Sequence, residues 1–225
     1  MKFFLLNRLT RLTLITFTIT CLNYSCAAKN ITPTPVMEEG VWPTPASTLQ
    51  ELITNISSED IATRIVSIYA LEKYGDEAIS ALPALISNLN ANDLDLRAAA
   101  IYALGKLGPE AKVAVPDLIE ALKNDNYIHN RSDAAIALGE IGDLSSIPAL
   151  GACLFDNSDD RIERFDYKDP IYCAKSIAKI TGEKFTDSDS TGYRLNENHI
   201  PLIVLDARKW WLETGQFQNW ESIIN

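Results

Sequence analysis

The sequence predicts an all-α protein built as an α-solenoid of about four stacked helix pairs, and three observations predict it. Beyond Ala46 the chain matches itself at a near-constant offset, in Arg64, Arg97 and Arg131, in Gly75, Gly108 and Gly142, and in Pro83, Pro116 and Pro148. Within one period the apolar residues return at helical spacing, as in Leu94, Ala98, Ile101, Leu104 and Leu107, the pattern of a buried helix stripe. Strand signals are nearly absent: only Ile203-Val204 is locally β-branched, and Pro201 before it suits a helix start.

Residues 1–25 read as a secretory signal. Lys2, Arg8 and Arg11 supply the positive head, and an apolar, Thr-rich run from Leu12 to Leu22 follows, ended by small residues. That run is about half of the roughly 20 residues a spanning helix needs. Two ends of the signal stand open. Ser25-Cys26 resembles the close of a bacterial lipobox, which would leave Cys26 lipidated and amino-terminal, although Asn23 stands where such boxes have an aliphatic residue. Ordinary cleavage after Ala27 is the other, with Ser25 and Ala27 as its small residues. Residues 26–46 carry Thr32-Pro33-Thr34-Pro35 and Trp42-Pro43-Thr44-Pro45. A Pro-rich stretch is extended and semi-rigid, which suits a tether to a membrane.

Residues 47–182 hold the repeats. The strings around the glycines are Ala70-Leu71-Glu72-Lys73-Tyr74-Gly75, Ala103-Leu104-Gly105-Lys106-Leu107-Gly108 and Ala137-Leu138-Gly139-Glu140-Ile141-Gly142. Ile177-Ala178-Lys179-Ile180-Thr181-Gly182 is a degraded fourth copy, displaced by a short insertion around 161–168. Each period holds two helices. The second ends at its Gly, which takes a left-handed conformation without a Cβ clash; the prolines fall in the first turn of the next helix, where a missing donor is harmless. Arg64, Arg97 and Arg131 start the second helices beside Glu59, Asp60, Asp93, Asp95 and Asp125, so stacking is expected to pair them with acids in a structural ladder. Gly105 and Gly139, inside helices with no strand before them, read as close-packing positions rather than phosphate-binding ones.

These residues resemble the short bacterial form of the HEAT-like repeat: Val115-Pro116-Asp117-Leu118, Leu122, Asp125, Arg131, Ala134-Ala135, Ala137-Leu138-Gly139 and Gly142. The resemblance implies a right-handed superhelix whose concave surface holds a partner. It also brings a lyase-like alternative, because repeats of this form occur in proteins that attach or remove bilins from phycobiliproteins. Tetratricopeptide repeats share the period, but their aromatic signature is missing here, as is the Thr-Pro-Leu-His element of ankyrin repeats.

Residues 183–225 read as a polar loop followed by a capping helix. Asp187, Asp189, Thr191 and Gly192 stand at positions 1, 3, 5 and 6 of a calcium loop, but Asn198 occupies position 12, where a bidentate Glu is needed. A solvated loop is the better reading, and a calcium-dependent assembly module the weaker. Leu202, Leu205, Trp210, Trp211 and Leu212 form a helix ended by Gly215. Repeat stacks need an atypical end unit to cover the last apolar face; the rival role for Trp210 and Trp211 is a partner-binding patch.

Chemistry is sparse. His129 and His199 stand far apart in the chain, each with no neighbouring ligand type, which argues against zinc or a His-dependent triad. His129 is expected in an exposed turn over 126–130. Cys153 and Cys173 fall on the two helices of the fourth pair, where an exported protein can oxidise them. Cys173 aligns with the small residues Ala100 and Ala134, so two buried thiols and a bridge both stand. Without segment 1–25, which holds three of the 20 bases and no acid, the chain sets 17 bases against 30 acids, a formal charge of −13. That balance disfavours nucleic acid. No catalytic residue and no cofactor is expected. The leading reading is a non-enzymatic interaction scaffold of the cell envelope, whose protein partner offers a basic surface to exposed acids such as Glu120 and Asp125.

Overall fold

The computed structural model describes residues 48–156, 168–186 and 202–220. Helix α1 (Leu49–Asn55) opens on a capping box: the Glu51 N–H donates to Thr48 Oγ1 at 3.2 Å and the Thr48 N–H to Glu51 Oε2 at 2.8 Å, so two orphan amides are satisfied reciprocally. Helix α2 (Ile61–Ala70) is capped by Asp60 and α4 (Leu94–Leu107) by Asp93, each accepting an N–H three residues on. Helices α3 (Leu82–Asn88), α5 (Val115–Asn124) and α7 (Ile147–Cys153) carry Pro83, Pro116 and Pro148 as their second residues, each after a 3-10 stretch. Helices α6 (Ile128–Ile141), α8 (Lys168–Thr181) and α9 (Leu202–Glu213) complete the set. No strand occurs among the described residues.

The helices pair as α1–α2, α3–α4, α5–α6 and α7–α8. The second members stack in order, α2 on α4, α4 on α6, α6 on α8, and α9 closes the stack on α8. The result is an α-solenoid in which each unit is stabilised by its neighbours. Small residues bring the second helices together. A Cβ built on Gly105 would stand 3.1 Å from Ala137 Cα, and one on Gly139 would stand 2.5 Å from Ser176 Oγ.

The terminal glycines all have positive φ: 50° at Gly75, 58° at Gly108, 76° at Gly142 and 78° at Gly182. Only Gly142 is shown in the ordinary left-handed basin expected of the set. Gly75 and Gly108 combine positive φ with ψ of −127° and −138°, a region essentially closed to residues with a Cβ. The last turn of the first unit's second helix is tightened to 3-10 from Leu71 onward.

The expected apolar stripe of α4 needs correction. Leu94 is 40% exposed, while Leu96, Ala99, Ala100, Ile101, Ala103, Leu104 and Gly105 are buried. The helix lies between α2 and α6 with α3 behind it, so burial spreads round most of its circumference and a single stripe no longer describes it.

At the carboxy-terminal end, a Cβ on Gly151 would lie 2.5 Å from the Trp211 ring, so this glycine lets the α9 indole lie directly on α7. Trp210 contacts Phe185, Trp211 and Trp220 at centroid distances of 5.9, 6.3 and 6.3 Å. The buried Trp220 donates Nε1–H to the Gly215 carbonyl at 2.9 Å. Ile203 and Val204, the β-branched pair, are buried in this helix. A disulfide joins Cys153, the last residue of α7, to the buried Cys173 of α8, with Cα atoms 6.3 Å apart.

Candidate functional site

The three repeated arginines do different work: Arg97 forms the expected pair with an acid of the adjacent unit, while Arg64 is held by a carbonyl and an amide oxygen. Arg64 donates Nε–H to the Ile56 carbonyl at 3.1 Å and an Nη2–H to Asn88 Oδ1. Arg97 grips Asp125 of the next unit in a two-pronged pair of 2.7 and 2.9 Å, and also donates to the Ala91 and Asn92 carbonyls and to Asn126 Oδ1. Arg131 donates to the Asp125 carbonyl at 3.1 Å. The three share the task of satisfying inter-helix turns, where a carbonyl or amide oxygen accepts from a guanidinium as a carboxylate does, without the added strength of an opposite charge.

Asp125 is therefore no exposed acid: its side chain is 3% accessible. Burial pushes its carboxyl up, but hydrogen bonds from Arg97, the Tyr127 N–H and Asn130, with the Arg97 charge, outweigh burial and hold it below the ordinary range. Asp143 follows the same balance, with burial opposed by Ser145 and by Lys112 at 2.9 Å. Glu120 is exposed and accepts from Asn124 at 2.7 Å. His129 is exposed as expected, but it stands in the first turn of α6, whose helix begins at Ile128.

Equivalent positions on the second helices build a surface that the sequence reading missed. Tyr69 on α2, Tyr102 on α4 and Ile136 on α6 recur one period apart and are exposed to 47, 39 and 38%. The two tyrosine rings stand 5.5 Å apart at 54°. Beneath them opens a cavity of about 190 Å³ floored by Ile68, Leu71, Ala78, Leu85, Ala103 and Leu107. Its rim holds Glu72 and Lys106, whose charges are 3.5 Å apart, and the Lys106 ammonium lies 5.3 Å from the Tyr102 ring centre.

Burial raises the Tyr69 hydroxyl's pKa, and the negative charges of Asp133 and Asp95 act with Tyr102 in the same direction. Asp133 is itself raised by burial, with His129 opposing. The signal for this face was available as an aromatic that recurs with the repeat, one position beyond the buried Ile68 and Ile101.

Cys26, the signal and tether residues, and Asp187, Asp189 and Thr191 lie outside the described residues. Trp210 and Trp211 are both partly buried within the cap. Among the described residues, no three His, Cys, Asp or Glu are grouped to hold a metal ion, and no helix is long and apolar enough to cross a membrane.

A family model for HEAT repeats matches residues 48–127 and 82–164, which together span more than half of the chain. Among solved structures, the chain is similar to the complex of CpcE and CpcF of phycocyanin lyase from Nostoc sp. PCC7120. The identity is 23% and the TM-score 0.47, over 68% of this chain and 71% of that chain. It is also similar to an engineered protein, with 20% identity and a TM-score of 0.47 over 59% and 62% of the two chains. No curated protein matches it. With three glycine-closed helix pairs in register and a family model spanning them, the chain belongs to the HEAT-repeat family.

Proposed function

We propose that this chain is a non-enzymatic scaffold of the cell envelope that binds a protein partner through the face formed by its second helices. The observation that carries the reading is the Tyr69–Tyr102 groove, in which an apolar floor, two exposed aromatics and the Glu72–Lys106 pair meet. Exposed aromatic rings over an apolar floor are the composition of interaction hot spots. A cavity of about 190 Å³ suits a side chain better than a cofactor, since small-molecule pockets run to roughly 300–1,000 Å³. The chain's net charge of −10 favours a basic partner and speeds its approach.

Export through residues 1–25 and anchoring through Cys26 complete the proposal. The two charge pairs with a buried carboxylate, Arg97–Asp125 and Lys112–Asp143, bind turns to neighbouring units and so serve architecture. The test is capture of the partner by crosslinking in the envelope fraction, repeated as salt is raised. Binding should weaken, because the Debye length shrinks from about 8 Å at physiological ionic strength to about 3 Å at 1 M. Cys26→Ser should move the protein from the membrane to the soluble fraction. Turnover that persists through purification to homogeneity would overturn the non-enzymatic part, and unaltered fractionation of Cys26→Ser the anchor.

A further inference from the structure

The first interface of the stack breaks the rule that closes the other two. Gly105 meets Ala137 between α4 and α6, and Gly139 meets Ser176 between α6 and α8, at distances that leave little or no room for a Cβ. The equivalent position in the first unit is Glu72, in the 3-10 stretch after α2, and the residue one period before Ala137 is Ala103 on α4. No close approach is made there: Glu72 and Ala103 both line the cavity of about 190 Å³. The opening is thus a departure from the repeat at a single residue, and sequences break their own packing rules chiefly at functional sites.

Its size and rim select the occupant. An engineered apolar cavity of about 150 Å³ takes benzene, so about 190 Å³ holds one six-membered ring and leaves the rest of a larger side chain at the mouth. At that mouth the Glu72 and Lys106 charges stand 3.5 Å apart, and both side chains are about half exposed. A pair in such a setting adds little to stability, so it can open to serve a ligand. The charge complementarity is that of an indole. Its apolar body fills the floor, its N–H donates to the Glu72 carboxylate, and its electron-rich face attracts the Lys106 ammonium. Phenylalanine lacks the donor, and an aliphatic side chain lacks the face as well.

We propose that this cavity receives one tryptophan side chain of the partner protein, its indole N–H on Glu72 and its ring against Lys106. This rests on the scaffold reading for the existence of a partner, while the cavity itself is defined by this chain alone.

The probe is N-acetyl-tryptophanamide, with its indole-N-methyl analogue, which cannot donate, and N-acetyl-leucinamide as counterparts. Each is titrated against the whole protein and followed by the ring resonances of Tyr69 and Tyr102. N-acetyl-tryptophanamide should shift both sets of signals. The N-methyl analogue should bind about tenfold more weakly, through loss of a hydrogen bond to a charged group, and the leucine amide more weakly still. Glu72→Gln, which keeps an acceptor without the charge, should weaken the tryptophan probe about 3-fold, and Lys106→Met about 3-fold. Glu72→Gly, which restores the packing residue of the other units, should abolish the shifts. If Glu72→Gly does not fold, Ala103→Leu fills the same space from α4 and carries the same expectation.

Equal affinity for the indole and its N-methyl analogue, or Tyr69 and Tyr102 signals unmoved by the tryptophan probe, would overturn the site. Trp42, which lies outside the described residues, is the rival occupant within this chain. Tyr69 and Tyr102 signals that move in Trp42→Ser with no probe present would assign the cavity to Trp42 and overturn the partner's claim to it. If Glu72→Gly still captures the envelope partner at full affinity, the tryptophan site fails and the scaffold reading survives. If the probe seats in the cavity but no partner is ever captured, the scaffold reading fails and the indole site stands.

Discussion

Gly139→Ala sets two effects of opposite sign against each other at the closest approach in the helix stack. Ala in place of Gly inside a helix stabilises by about 0.5–1 kcal/mol through backbone entropy. Against this, the new Cβ would stand 2.5 Å from Ser176 Oγ, 2.8 Å from its Cβ and 3.1 Å from its Cα. The hydroxyl alone could rotate, but it donates to the Ala135 carbonyl at 2.7 Å in a buried setting, and losing that bond costs about 0.5–1.5 kcal/mol. The Cβ and Cα have no such escape, so α6 and α8 must part by a few tenths of an ångström, an overpacking strain of roughly 1–3 kcal/mol. Sterics win, and the variant should lose about 1–3 kcal/mol in urea unfolding.

Gly105→Ala meets Ala137 only at 3.1 Å, so its gain and strain should nearly cancel, to within about 1 kcal/mol. In a cycle with Ser176→Gly, the double variant should cost less than the sum of the singles by about 1 kcal/mol, as touching residues do. A Gly139→Ala protein more stable than its parent, or strict additivity in the cycle, would refute the close stacking of α6 on α8.

Leu104→Ala in the central unit, where the side chain is 0% exposed, should cost about 2–5 kcal/mol by thermal or urea unfolding. Breaking the Cys153–Cys173 bridge, with partners 20 residues apart, should lower stability by about 3 kcal/mol, seen as a drop in Tm under reductant; an unmoved Tm would speak against the bridge. Asp125 and Asp143 are held below the ordinary carboxylate range. Their contribution is therefore complete above the unfolded pKa of about 3.9 and is lost as pH falls through the lower folded values. Acid titration should show a plateau at pH 5–7 and a decline below about pH 4. Asp133 runs the other way: its raised carboxyl burdens the fold when ionised, so Asp133→Asn should be neutral or stabilising at pH 7 by the same unfolding assay.

The period was legible because each recurring residue answers a backbone demand. Gly75, Gly108 and Gly142 take φ values that other residues reach only with strain, and Pro83, Pro116 and Pro148 sit where a helix wants no donor. A period says which positions are equivalent, but it is silent on what stands across the stack. Asp125 reads both as an acid of the arginine ladder and as an exposed acid open to a partner; Arg97, 28 residues earlier, closes over it, and the first role excludes the second. Leu94 read as core because the helical spacing fits, whereas alanines and Gly105 supply the buried circumference. Phe185 drew no notice in a polar stretch, yet it packs against Trp210 beneath the cap. Tyr69 and Tyr102 come from two units, and only stacking brings their rings to 5.5 Å over one cavity.

Hydrogen exchange of the protein alone and bound to its captured envelope partner tests the central claim most directly, because protection reports where the partner sits. The account predicts slowed exchange along the second helices, in Ile61–Ala70, Leu94–Leu107 and Ile128–Ile141, greatest in the turns that hold Tyr69 and Tyr102. Protection confined to Leu202–Glu213, or to the first helices, with the second helices exchanging as in the free protein, would contradict it.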